Sequence, residues 1–384
     1  MNANSITSFT IDVPETVLAD LRERLHRTRW PDQMPGVGWD YGAELTAVQR
    51  LCAYWADEYN WTQAQARLNS WPQFTTEIDG QNLHFIHARS KHPDAMPLVV
   101  THGWPGSIAE FEKIIGPLTD PVAHGGSASD AFHVVCPSIP GYGFSGPTTD
   151  RGWNVGRVAS AIATLMDRLG YARYGAQGGD WGAVITTALG SLDAAHLSGI
   201  HLNMVVARPP EGPDRMAGVQ PDEMAGLAFM AQFREHETGY QAIQGTRPQT
   251  LAYGLTDSPA GLAGWILEKF RQWSDCDGDP FTAFTMDELC TNLTIYWVTG
   301  TINSSTRLYY ETIGPGRRGA APRVEVPTGA AIFPKELYQP PRVWAEQQYN
   351  ITHWSRFERG GHFAAMEQPV LLVDDMRAFF RTVR

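Results

Sequence analysis

Three short stretches set polar side chains among glycines in patterns suited to chemistry: "THGWPGS" (101–107), "GGDWGA" (178–183) and "GGHFAAME" (360–367). In the second, Asp180 sits between a short β-prone run and a helix-prone one, the setting of a turn that presents a nucleophile. A serine at such a tip suits acyl transfer, because water later cleaves the acyl ester. Serine attack on a saturated carbon would instead leave an ether that water does not readily cleave. An aspartate attacking the same carbon leaves an ester, whose hydrolysis regenerates the carboxylate. Asp180 therefore points to an electrophilic sp³ carbon, in an epoxide or an alkyl halide.

An aspartate ahead of a helix is also an ordinary N-cap, and most histidines are ordinary too. The coincidence of all three stretches favours chemistry. Chain order of nucleophile, acid and histidine makes Asp180 the nucleophile and His362, flanked by Gly360 and Gly361, the base. Glu336 in "FPKEL" is the expected acid, just beyond a strand, with Glu325 and Glu358 as competitors.

Ligands gather at the carboxyl ends of strands in open parallel sheets, so each stretch should follow a strand. Apolar runs at 83–88, 98–103, 132–138, 173–178, 198–204, 323–333 and 351–359 read as strands. Residues 155–170 read as an amphipathic helix with Val158, Ile162, Leu165 and Leu169 on one face. Such alternation predicts an α/β fold, a mostly parallel sheet with helices on both faces. Residues 1–75 look helical, with Val17, Leu18, Leu21 and Leu25 at helical spacing. Their aromatic load (Trp55, Tyr59, Trp61, Trp71) suits packing against the main domain. Between about 205 and 312 the alternation gives way to helical periods, including 258–273 with Ser258 as N-cap and Pro259 in the first turn. The expected organisation is a helical extension (1–75), a first core part (76–204), a helical lid (205–312) and a second core part (313–384).

The 384 residues carry a formal charge of −11, which argues against a nucleic-acid partner. Cys52, Cys136, Cys276 and Cys290 are scattered without metal-ligand spacing and read as free thiols of a reducing cytosol. The N-terminus lacks a signal-peptide pattern, and no apolar run approaches the roughly 20 residues of a membrane span. A cytoplasmic location without a membrane anchor is the expectation.

Taken together, "HGWPGS", "GGDWGA", "YWVTGTINSSTRLYYE", "FPKEL" and "RGGHFAAMEQP" resemble the α/β-hydrolase epoxide hydrolases of the microsomal and juvenile-hormone type. "FTIDVPETVLADLRERLHRTRWPD" resembles that family's N-terminal extension. The resemblance covers essentially the whole chain, apart from the membrane-anchoring helix of animal microsomal members. It extends to bacterial members in natural-product pathways, including enediyne antibiotic biosynthesis, and a soluble member with such a role is the expectation.

The resemblance implies that Asp180 is the nucleophile, His362 the base and Glu336 its carboxylate partner. It places Tyr240 in "HETGYQAIQ" and Tyr309 in "SSTRLYYE" as the epoxide-activating tyrosines, with Tyr310 left as an alternative to Tyr309. Backbone amides of Trp104 and Trp181 would form the oxyanion hole, and Trp104–Pro105 matches a family cis peptide. Phe229, Phe233, Trp265 and Trp297 are available to bind a bulky, apolar or aromatic epoxide. The expected partner is a small-molecule epoxide, with a homodimer left open, and the chemistry needs no cofactor and no metal. A haloalkane dehalogenase would share Asp180, Glu336 and His362, but its lid would need N–H donors for halide. A catalytically inactive binding protein would have lost one of these residues.

Overall fold

The structure is a computed structural model that describes residues 5–316 and 322–384. The first four residues of the N-terminus read above lie outside the described residues. Nine strands form one sheet: β1 (Thr7–Phe9), β2 (Gln73–Ile78), β3 (Gln81–Ala88), β4 (Met96–Thr101), β5 (Phe132–Pro137), β6 (Tyr174–Gly178), β7 (Leu197–Leu202), β8 (Val324–Ile332) and β9 (Tyr349–Arg356). Their spatial order is β1-β2-β3-β5-β4-β6-β7-β8-β9. The pairs from β5 through β9 are parallel, and β1, β2, β3 and β5 pair antiparallel. The sheet is thus mixed, and this is the α/β-hydrolase fold.

The central strands are buried along their length, which is why β4 reads "MPLVVT" with no polar alternation. The helix Val155–Arg168 buries Val158, Ile162 and Leu165 as the periodicity predicts, and Asn154 caps it by accepting from the Arg157 amide. Leu169 falls just beyond its end, half-buried. Ser258 caps the helix Pro259–Gln272 through the Gly261 amide, also as expected.

The sequence reading differs from the structure at the N-terminal edge. Residues 1–75 were expected to be helical, yet β1 and the start of β2 lie within them. Asp79 (φ 53°) and Gly80 (φ 73°) join β2 to β3 in a tight turn, and Asp-Gly between two β-prone runs is the usual signature of such a hairpin. Trp71 packs against the sheet-side core as expected, and Trp55 and Tyr59 also reach an inserted helix. Trp55 Nε1 donates to Thr294 Oγ1 at 2.8 Å, and the Tyr59 hydroxyl lies 3.0 Å from Thr291 Oγ1. Both threonines belong to the helix Met286–Thr299, inserted between β7 and β8, rather than to the sheet. The four cysteines are buried free thiols. Among the described residues, no helix is long and apolar enough to cross a membrane.

The C-terminal helix Pro369–Phe380 is fastened to the sheet by one buried carboxylate. Asp375 Oδ2 lies 2.9 Å from His201 Nε2 on β7, and Oδ1 lies 2.7 Å from His353 Nε2 on β9 and accepts from the Ser355 hydroxyl. Burial alone would raise this carboxyl, but the hydrogen bonds from His201, Ser355 and His353 outweigh it and hold the pKa at about 2. A depressed carboxyl stabilises the fold above its unfolded value, near 4, and that stability is lost as pH falls through the folded value. Asp375→Asn should therefore lower the unfolding free energy at pH 7 by roughly 2 kcal/mol. Urea titrations should show the gap from wild type closing as the pH falls from about 4 to about 2.

Candidate active site

Register brings the three glycine-rich stretches together. Thr101 on β4 pairs with Gly178 on β6, so the turn after β4 lies beside the turn after β6. An isolated parallel bridge between Lys335 and Gly361 sets Glu336 beside His362.

Asp180 opens the helix Asp180–Leu192 with φ 49°, a left-handed conformation that few non-glycine residues adopt. It is not an N-cap: Gly179 holds that position, and the Asp180 carboxylate points away from its own helix. Oδ1 accepts from the Trp104 amide at 2.7 Å, and Oδ2 lies 3.3 Å from His362 Nε2. So tight a turn needs bare backbone around it. A Cβ on Gly182 would lie 1.9 Å from the Thr101 carbonyl oxygen, and one on Gly178 would lie 2.2 Å from the Gly182 carbonyl oxygen. Trp181 stands in the first turn of this helix, where amides have no intrahelical acceptor.

Glu336 Oε1 lies 2.8 Å from His362 Nδ1 and also accepts from the Leu337 amide. Both side chains are buried. The competing acids are elsewhere: Glu325 is exposed and paired with Arg323, and Glu358 is exposed. Burial would lower the His362 pKa, but the charges of Glu336 and Asp180 on either side push it well above its ordinary value.

The inserted helices cover this group. Tyr240, from the helix Gly239–Thr246, stacks on the Trp104 ring at 5.5 Å, and Tyr309, from the helix Ile302–Ile313, meets the Trp181 ring edge-on at 4.7 Å. The two phenol rings are 5.9 Å apart. Tyr310 is 37% exposed, whereas Tyr309 is buried among these rings. Burial, with the Asp180 charge, pushes both phenols well above 10. Asn292 Nδ2 donates to the Pro105 carbonyl and the Tyr296 hydroxyl to the Gly106 carbonyl, which pins the turn after the cis Trp104–Pro105 bond.

A cavity of about 20 Å³ beside Asp180 and His362 is lined also by Gln177, Asn203 and Glu110. That is room for about one water molecule. Burial, with the Asp180 charge adding and His362 opposing, pushes the Glu110 carboxyl up to about 8. Glu110 escaped the sequence reading although it stands three residues after "THGWPGS". Trp273 escaped as well: its ring is 5.1 Å from His362 and 5.2 Å from Tyr240, and its carbonyl accepts from the His362 amide.

None of Phe229, Phe233, Trp265 and Trp297 lines that cavity. Phe233 is buried with its edge toward Tyr338, and Phe229 is half-buried on the same helix. Trp265 lines an outer groove with residues from 28–48, and Trp297 lies under Arg24 of the helix Glu15–His26. Aromatic content could not say which face each ring would take.

Comparisons with known proteins give the family. The family model "Epoxide hydrolase N terminus" matches residues 6–111, and "alpha/beta hydrolase fold" matches residues 96–282. A Stigmatella aurantiaca protein named as an epoxide hydrolase is 48% identical over 99% of this chain and 86% of its own length. Epoxide hydrolase 1 of Sus scrofa is 38% identical, over 98% of this chain and 88% of its own. The chain belongs to the epoxide hydrolase family. The crystal structure of juvenile hormone epoxide hydrolase from the silkworm Bombyx mori superposes on this epoxide hydrolase with a TM-score of 0.90. It has 34% identity and covers 99% of this chain and 95% of the silkworm chain.

The crowding at the turn makes a direct prediction for this epoxide hydrolase. Gly182→Ala would drive a methyl group into backbone that cannot yield, at a cost of about 1–3 kcal/mol. Its melting temperature should fall by several degrees and its epoxide-hydrolysing activity should vanish, whereas a Gly182→Ala enzyme as active as wild type would contradict the packing described.

Proposed function

We propose that this epoxide hydrolase converts an epoxide to a vicinal diol through a covalent ester of Asp180. The observation that carries the reading is a carboxylate, rather than a hydroxyl, at the tip of a glycine-walled turn facing two buried phenols. Trp104 holds Oδ1, which leaves Oδ2 to attack a ring carbon from the side opposite its oxygen. The C–O bond of the epoxide breaks as its electron pair passes to the ring oxygen. Tyr240 and Tyr309 donate hydrogen bonds to that oxygen as its charge develops, and one of them gives up its proton.

His362 fits both halves of the cycle. Flanked by two carboxylates, it starts protonated. Esterification neutralises Asp180, so the imidazolium loses one of its two stabilising charges and passes its proton toward the phenolate. Neutral His362, oriented by Glu336, then takes a proton from water that attacks the ester carbonyl. The carbonyl oxygen is Oδ1, already on the Trp104 amide, and the Trp181 amide is the second donor. One such donor contributes about 3–4 kcal/mol in comparable sites.

The two phenols favour epoxide over alkyl halide, since a departing halide calls for N–H donors. The aromatic roof of Trp104, Trp273, Tyr240 and Tyr309 supports an apolar or aromatic epoxide, and a bulky one, as a place in enediyne biosynthesis would require, needs these rings to part beyond the one-water cavity. The cytosol, as the compartment of four buried thiols, and a single chain or a homodimer complete the reading.

Two experiments test it. His362→Gln should be alkylated by an aryl epoxide yet hydrolyse the ester very slowly, so that intact-mass spectrometry finds the protein heavier by the mass of the substrate. Normal turnover by this variant would remove His362 from its role. Tyr240→Phe and Tyr309→Phe should each slow alkylation of Asp180 by roughly 10²-fold, the lower end of general acid catalysis. Stopped-flow single turnovers in which both variants alkylate at the wild-type rate would overturn the assignment.

A further inference from the structure

The two phenols are not equivalent in their surroundings. The Tyr309 ring is met by the rings of Trp104, Trp181 and Tyr240, and its hydroxyl has Trp181 and Tyr240 as side-chain hydrogen-bond partners but, among the described residues, no charged group over its ring. Tyr240 has a polar setting besides. Its hydroxyl oxygen accepts from Gln241 Nε2 at 2.9 Å, which leaves its own proton to be donated. The ammonium of Lys269, from the helix Pro259–Gln272, lies over the Tyr240 ring at 4.7 Å from its centroid, and 5.6 Å from that of Trp265. Lys269 is only 4% exposed, and Glu268 Oε2 at 2.7 Å compensates its charge. A buried lysine is costly unless it is paired, and with Glu268 as its partner the ammonium can remain charged against the Tyr240 ring.

We infer that Lys269 is a positioning residue for epoxide opening, making Tyr240 rather than Tyr309 the tyrosine that gives up its proton. The inference rests on the reading of Tyr240 as an epoxide activator. In the ground state the ammonium meets a neutral ring and gains an ordinary cation–π contact. As the ring C–O bond breaks, the epoxide oxygen takes the electron pair and then the Tyr240 proton, and negative charge appears on the phenol. The same ammonium then faces an anion inside a dry site, where the attraction is far stronger. The contact is thus tightest in the transition state, which is the condition for accelerating the step. Gln241 adds to the effect, because its N–H hydrogen bond also strengthens as the phenol oxygen becomes negative. The other charges around Lys269 are Glu268 and Arg271 on its own helix and Glu237 at the end of the helix Met224–His236, while Asp180 acts on Tyr240 itself.

A double-mutant cycle on the full-length enzyme separates this role from simple packing. The neutral variant is Lys269→Met combined with Glu268→Gln, so that no charge is left unpaired. Rapid mixing with an aryl epoxide reads the alkylation and hydrolysis rates separately. Alkylation should slow about tenfold, the size of one desolvated cation–π contact, while ester hydrolysis keeps its wild-type rate. Lys269→Arg, which keeps the cation, should recover most of the alkylation rate. In a Tyr240→Phe background, removing the two charges should have no further effect. Equal slowing in that background, no slowing with Tyr240 intact, or an Arg variant as slow as the neutral one would overturn the role of Lys269. If the paired variant does not fold, Lys269→Gln combined with Glu268→Gln enters the same cycle with the same outcomes. Tyr240→Phe alkylating at the wild-type rate would instead overturn the reading of Tyr240 on which the inference stands.

Discussion

One hydrogen bond, from the Trp104 amide to Asp180 Oδ1, ties two strand ends into a single site. It forms only because β4 and β6 are neighbours in register, because Gly178 and Gly182 let backbone approach backbone, and because Gly103 leaves room for the Asp180 side chain. The left-handed φ of Asp180 is the local cost of aiming the side chain across the gap instead of along its own helix. Everything else in the site is arranged around that carboxylate. His362 meets its other oxygen, and the Trp104 and Trp181 rings that flank it carry the two phenols.

The electrostatics follow from burial. Two carboxylates and an imidazole packed beneath aromatic rings cannot all hold their solution charge states. Glu336 and Asp180 share the charge of one histidine, so any change in the charge of Asp180 is felt at His362 through 3.3 Å of low-dielectric space. Glu110, close by, is driven toward its neutral form by the same lack of solvent. The buried Lys269 ammonium over the Tyr240 ring, paired with Glu268, belongs to the same economy of few, paired charges in an apolar roof.

Much of this was legible in the amino-acid sequence because it depends on local pattern. Glycines around Asp180 and His362 announced turns, and uniform apolar runs announced buried strands; helix 155–168 ended within two residues of its expected limit. Tyr309 could have been chosen over Tyr310 by helical phase, since Ile302, Ser305 and Tyr309 share one buried face. The Asp79–Gly80 hairpin was also readable, but the helical content of the preceding 70 residues obscured it. What no local pattern carried was partnership across the chain. Trp297 under Arg24, and Lys269 turned inward beside Glu268, look like ordinary helix residues until the helices are packed. The same holds for Glu110, whose position beside Asp180 depends on register between strands.

The helix Met286–Thr299 is gripped from both sides. Asn292 and Tyr296 hold the turn at Pro105 and Gly106, while Thr291 and Thr294 hold Tyr59 and Trp55 of the N-terminal segment. The segment and the helix, more than 200 residues apart in the chain, are thus a single inherited unit. Recombination between relatives that exchanged one without the other would join mismatched halves of two buried hydrogen bonds, and the misfit would be transmitted through Asn292 to the turn that holds the reactive carboxylate. Positions 55 and 294, and 59 and 291, should therefore drift together or not at all.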